Sequence, residues 1–84
     1  MIDPTRKAKI RWQCRRGMLE LDLILAHFID KGLENLTGQQ LDSFESLLTA
    51  PDPVLYSWLM GSDHPENREL MAIVELVQMH YKTR

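Results

Sequence analysis

Apolar residues recur along this chain at intervals of three and four, broken by polar residues and by short clusters of glycine, proline and aspartate. That is the period of helices with one buried face, and it predicts five of them. The first runs from about 5 to 14 or 15. Ala8 and Trp12 are four apart, as are Ile10 and Cys14, so two adjacent apolar rows are expected to face inward. Thr5 or Asp3 is placed to cap it, with Pro4 near the first turn. The second, from about 18 to 31, carries Met18, Leu21, Leu25, Phe28 and Ile29 at helical spacing, with Ile24 widening the stripe and Gly32 as a stop. The third has the clearest start. Thr37-Gly38-Gln39-Gln40 reads as a capping box, and Leu36 with Leu41 as the hydrophobic staple around it. Leu41, Phe44, Leu47 and Leu48 then share a face, and Ala50-Pro51 ends the helix because a residue before proline avoids the helical region. The fourth is short, with Asp52 as cap, Pro53 in the first helical position, a stripe of Val54, Leu55, Trp58 and Leu59, and Gly61 as stop. The fifth is expected to begin near Asp63 or His64-Pro65, with Asp63 and Glu66 as a second box. Leu70, Ile73, Val74, Val77 and Tyr81 give its apolar face, and Lys82 and Arg84 suit the negative end of its dipole.

Strand signals are weak: no stretch alternates cleanly with β-branched residues, and Asn-Gly and Asp-Gly hairpin turns are absent. The expected fold is therefore all-α, a compact five-helix bundle forming a single small domain over residues 1–84. The fourth helix is too short to persist alone, so tertiary packing must hold it.

Composition narrows the function. An apolar fraction of 44% suits a packed domain, and 84 residues leave room for one core. A large cofactor enzyme, a membrane span and a disulfide scaffold are all excluded, the last because Cys14 has no partner. The start, Met1-Ile2-Asp3-Pro4, lacks a basic segment followed by an apolar one, and with a lone cysteine this leads to the expectation of a bacterial cytoplasmic protein.

The net charge of -2 hides a polarity. Residues 1–19 hold six bases (Arg6, Lys7, Lys9, Arg11, Arg15, Arg16) and one acid, whereas residues 20–66 hold nine acids and one base. Opposite charges of this kind either help neighbouring helices pack or form a mixed-charge surface for a protein partner. A sequence pI of about 5.8 argues against bulk nucleic-acid binding. A helix-turn-helix reader is not supported either, because the bases lie on the first helix.

Catalytic and metal signals are thin. His27, His64 and His80 are far apart and none has a second ligand at metal spacing, although His27 and Asp30 could pair on the solvent side. Cys14 lies beside Arg15 and Arg16, yet its spacing from Ile10 suits a packed small hydrophobe. The four glycines are isolated, so no phosphate-cradling loop exists.

The segment Arg15-Arg16-Gly17-Met18-Leu19-Glu20-Leu21-Asp22 is where the charge changes sign. Two arginines end one helix, a glycine turns the chain, and two acids open the next, an arrangement that suits both dipoles. Arg16 and Glu20 could also pair if the helix ran through. A glycine at an exposed corner, ringed by donors and acceptors, equally offers a small flat site that another backbone can approach.

On these residues a resemblance rests. Ile10-Arg11-Trp12-Gln13-Cys14-Arg15-Arg16-Gly17-Met18-Leu19-Glu20-Leu21-Asp22 resembles the signature of the succinate dehydrogenase FAD-assembly-factor family, marked by Arg-Gly-x-x-Glu. Phe44-Glu45-Ser46-Leu47-Leu48 and Asp52-Pro53-Val54-Leu55-Tyr56-Ser57-Trp58-Leu59-Met60 are similar to the family's second block. The resemblance spans about residues 7 to 81, with little to match between Ala26 and Gly38. It implies a small five-helix protein that is not an enzyme. Such a protein binds the flavoprotein subunit of succinate dehydrogenase, and in bacteria also the related fumarate reductase, and promotes covalent attachment of FAD to a histidine there. It implies a partner-binding surface in which Arg16, Gly17 and Glu20 match the motif and Arg15, Met18 and Asp22 its flanks. Trp58 matches the second block, where a core role for its ring is equally open. No catalytic, metal or cofactor-binding residue follows from it, since FAD belongs to the partner. The other open class is a small helical adaptor or regulator with a different partner. A monomer or weak dimer without membrane insertion is expected, because the apolar stripes can be buried within one chain.

Overall fold

A helix begins where a side chain can replace the missing backbone acceptor, and the caps locate the elements here. The computed structural model describes residues 3–82, which form helices α1 (Pro4–Gln13), α2 (Leu19–Gly32), α3 (Gly38–Leu47), α4 (Asp52–Met60) and α5 (Arg68–Lys82). A single 3-10 turn, Leu33–Asn35, follows α2 directly. Asp3 caps α1 by accepting from the Thr5 amide at 3.2 Å, with Pro4 in the first turn. The capping box of α3 is complete: Thr37 Oγ1 accepts from the Gln40 amide at 3.1 Å, and Gln40 Oε1 accepts from the Thr37 amide at 2.9 Å. Helix α4 ends as expected on Gly61, whose φ of 86° is left-handed. The amides of Gly61 and Ser62 then return to the carbonyls of Trp58 and Ser57, the paired bonds of a Schellman motif. Gln78 on α5 adds a side-chain donor to the Trp58 carbonyl at 2.9 Å.

The α-helices pack around one core, with α5 lying against α2, α3 and α4. Phe28 and Phe44 are fully buried with ring centroids 5.1 Å apart, in one cluster with the fully buried Leu21, Leu25, Leu47, Leu55, Val74 and Val77. The radius of gyration of 11.6 Å is close to the roughly 12 Å expected of a compact domain of this length. The expected stripes of α2, α3 and α5 all reach this core.

Five local expectations are corrected. In α1 only the Ile10 and Cys14 row is buried; Ala8 is exposed and Trp12 is 73% exposed. Residues two apart on a helix lie about 200° apart around its axis, so the rows of Ile10 and Trp12 cannot share a face. In α4 the cap position falls to Pro51, and Asp52 and Pro53 are the first two helical residues. The Asp52 carboxylate is engaged elsewhere, by Arg16. Helix α5 starts later than expected, at Arg68. Asn67 Oδ1 accepts from the amides of Glu69 and Leu70, at 2.8 and 3.1 Å, whereas Asp63 accepts only from the adjacent His64 amide. His64 precedes Pro65, which disfavours helical backbone there. Gly32 does not end α2 with a left-handed turn, for its φ is -125° and the chain runs on into the 3-10 turn. It is instead a close-approach site, where a Cβ would lie 2.9 Å from His80 Nε2 and 3.0 Å from Phe28 Cε1. Asp30 is met by Arg11 at 3.5 Å rather than by His27. The expectation for the Lys82 and Arg84 side chains lies outside the described residues.

Candidate partner-binding site

The α1–α2 corner is built from the end of one helix and the first turn of the next. Helix α1 closes with the Cys14 amide on the Ile10 and Arg11 carbonyls and the Arg15 amide on the Trp12 carbonyl. Gly17 then takes φ 81°, a conformation that costs a side-chain-bearing residue about 1–2 kcal/mol. Met18 returns to extended backbone and starts α2 as its cap residue, its carbonyl accepting from the Asp22 amide at 2.8 Å. The Asp22 carboxylate in turn accepts from the Arg16 amide at 2.8 Å. The first turn of α2 therefore holds the loop that leads into it.

Arg16 does not extend into solvent. Its side chain is 15% exposed and crosses to the connection between α3 and α4. There Nη1 donates to Asp52 Oδ1 at 3.0 Å and to the Ala50 carbonyl at 3.3 Å, and Nη2 donates to the Leu48 carbonyl. Its Nε is buried without a hydrogen-bond partner, so the two terminal nitrogens make the attachment. The Leu48 and Ala50 carbonyls belong to the segment just past α3, where helix carbonyls lack intrahelical partners and a cation is favourable. Asp52 stands in the first turn of α4, where an acid is favourable. One guanidinium thus joins the end of α3 to the start of α4.

The remaining residues of the corner divide by exposure. Arg15, Gly17 and Glu20 are exposed, Met18 is half-buried against the core, and Asp22 is half-buried under the loop. Glu20 is reached from α4, where the Tyr56 hydroxyl donates to its Oε2 at 3.4 Å. The negative charge of Glu20, with some burial, holds the Tyr56 phenol above its usual pKa. The structure brings all six sequence-predicted residues into one corner, but two of them, Arg16 and Asp22, spend their polar groups inside the chain. Sequence reasoning missed Asp52 and Tyr56 as neighbours of this corner. Both lie 36 residues from their partners, and no local pattern carries such a contact.

Beside the corner, α1 and α2 leave an open groove of about 960 Å³, lined by Trp12, Arg15, Gly17 and Leu23 among others. Trp12 (73%), Leu19 (75%) and Leu23 (53%) are exposed there or nearby, far more than apolar side chains usually are. Cys14 lies at the groove's base, buried, and burial pushes its thiol up to about 12, so at neutral pH it is a packed thiol rather than a nucleophile. Among the described residues no group of three or more His, Cys, Asp or Glu side chains is placed to hold a metal ion. No helix among them is long and apolar enough to cross a membrane.

Fold and corner together define the class: a small all-α bundle whose distinguishing chemistry lies on an organised surface corner rather than in an enclosed pocket. The chain belongs to the family described as flavinator of succinate dehydrogenase, which it matches over residues 8–81. It is 49% identical over 77 residues to the FAD assembly factor SdhE of Legionella pneumophila (strain Lens), covering 92% of this chain and 96% of that protein. It is 45% identical over 78 residues to the SdhE of Coxiella burnetii, covering 93% of this chain and 95% of that protein. Among solved structures, the solution structure of a UPF0350 protein superposes with a TM-score of 0.82 at 40% identity, covering 99% of this chain and 88% of the other.

Proposed function

We propose that this chain is an assembly factor that binds the flavoprotein subunit of succinate dehydrogenase and promotes covalent attachment of FAD to it. The observation that carries the reading is the family match over residues 8–81, which takes in the whole corner. The contact surface is the corner itself, with Arg15, Gly17 and Glu20 presented outward and Arg16, Met18 and Asp22 shaping it from beneath. The contribution in this reading is positional. Attachment of FAD needs a histidine, the flavin and the surrounding domains in one geometry, and positioning alone contributes several kcal/mol to such steps. A rigid bundle that binds one arrangement of a mobile partner better than the others raises its population by that difference in affinity.

In this reading FAD stays on the partner, the fumarate reductase flavoprotein is a second client, and the factor works as a monomer in the bacterial cytoplasm. Mixing apo-flavoprotein, limiting FAD and this protein, and reading in-gel flavin fluorescence after denaturation, tests the reading, because only covalent flavin survives. Fluorescence should rise with the protein present and fall back with Gly17→Arg. Equal fluorescence with and without the wild-type protein at short times overturns the reading.

A further inference from the structure

We infer that Asp52 and Tyr56, on the first two turns of α4, are positioning residues of the α1–α2 corner. Asp52 fixes the Gly17 loop through Arg16, and Tyr56 fixes the Glu20 carboxylate. The inference rests on the reading of that corner as the partner-binding surface.

Consider what holds Gly17 in place. Its Cβ position faces open space, with no atom within 4 Å, so no packing confines it. Met18 packs against the core and its carbonyl accepts from the Asp22 amide, and on the other side of the glycine the loop is confined by Arg16, which is bound at both ends. Its amide donates to Asp22 at 2.8 Å, and its guanidinium donates to Asp52 at 3.0 Å and to the carbonyls of Leu48 and Ala50. The Asp22 bond is local, within the corner. The Asp52 bond joins two charged groups, and it ties the corner to the body of the bundle, because α4 is anchored in the core by Leu55 and Leu59. With both ends held, the loop meets a partner already ordered and loses little conformational entropy on binding. Tyr56 does the same for Glu20. A glutamate near the start of an exposed helix face has three free torsions, and the phenol at 3.4 Å selects one placement of its carboxylate.

This assigns the motif arginine a role that differs from its neighbours'. A 15% exposed guanidinium committed to three acceptors has little left to offer a partner. It predicts a distinction between charge and shape. A lysine at position 16 keeps the charge but presents a single ammonium that cannot span the Leu48 carbonyl, the Ala50 carbonyl and Asp52 together.

The experiment measures affinity for the apo-flavoprotein and covalent flavin yield, with thermal melts run alongside, for Asp52→Asn, Asp52→Glu, Arg16→Lys, Tyr56→Phe and Gly17→Arg. Asp52→Asn and Arg16→Lys should each weaken binding about tenfold, the size expected of a lost charge-assisted hydrogen bond. The double variant should be no weaker than Arg16→Lys alone, since Asp52 is one of the three acceptors the arginine holds. Asp52→Glu, which keeps a carboxylate, should recover most of the affinity. Tyr56→Phe should cost about two- to threefold, as for one weak hydrogen bond. If Gly17→Arg abolishes binding while Asp52→Asn, Arg16→Lys and Tyr56→Phe bind like wild type, the positioning role is refuted and the corner reading stands. If Arg16→Lys binds normally and Asp52→Asn does not, the role of Asp52 does not run through Arg16, and the inference fails in that part. If Gly17→Arg also binds like wild type, the corner reading fails and the inference with it. Should Asp52→Asn not fold, Arg16→Lys and Tyr56→Phe decide on the same terms.

Discussion

Gly17 and Gly38 separate two effects of a glycine that are usually mixed. A Cβ at either position would meet nothing within 4 Å, yet only Gly17 has a positive φ, at 81°. Space is therefore not the difference, and backbone strain is. Gly38→Ala should be neutral or raise stability by about 0.4–1 kcal/mol, through the lower entropy of the unfolded chain. Gly17→Ala should cost about 1 kcal/mol, because an L-residue is forced into the left-handed region. In a domain of this size that is a drop of roughly 4–8 °C in melting temperature. Gly17→Arg carries the same strain, so binding it loses beyond Gly17→Ala measures the bulk a partner must accommodate. Equal melting temperatures for the two alanine variants would show that the corner relaxes and that φ is not the reason for glycine there.

At the scale of the element, the caps decide where helices begin, and they divide the sequence into legible and illegible parts. The box at Thr37 was legible because its signals lie within four residues and nothing distant competes. The same pattern at Asp63 and Glu66 failed, since Pro65 between them disfavours the helical start and Asn67 takes the capping position instead. Thr37→Ala and Asn67→Ala should therefore each cost about 1 kcal/mol, and Asp63→Ala only a few tenths, readable as melting shifts. A large loss at Asp63 would return the start of α5 to where the sequence placed it. Periodicity identified the buried faces of α2, α3 and α5, because their stripes are wide and consistent. It failed in α1, where two rows compete and the wrong one holds a tryptophan that is 73% exposed. Within the candidate site, the motif residues were legible by spacing and resemblance. Asp52 and Tyr56 were not, because tertiary packing alone brings α4 to the corner.

Over the whole molecule, the opposed charges of residues 1–19 and 20–66 are used largely inside the chain. Arg6 meets Asp42 at 2.7 Å and also Glu45, Lys7 meets Glu34 at 2.8 Å, Arg11 meets Asp30 and Arg16 meets Asp52. Lys9 and Arg15 are the bases of this segment with no ion pair among the described residues, and both are exposed. Packing of neighbouring elements accounts for most of the polarity, and Arg15 remains for the corner. Exposed pairs are individually weak, but α1 buries only Ile10 of its own residues, so its seat depends on such links more than that of the other helices. Glu34 provides the test. The hydrogen bond and positive charge of Lys7 hold its carboxyl below the usual carboxylate range. A depressed folded-state pKa contributes stability above the unfolded value, about 4.3 for glutamate, and that stability is lost as pH falls through the folded one. Wild type should therefore melt above Glu34→Gln at neutral pH, and the gap should close as the pH falls through the folded-state value, once the carboxyl is protonated in both states. Salt at about 1 M should narrow the gap at neutral pH as well, because the pair is exposed and the Debye length falls to about 3 Å. A gap that persists unchanged at low pH would mean that Glu34 acts by packing, and that α1 is held by Ile10 and Cys14 rather than by charge.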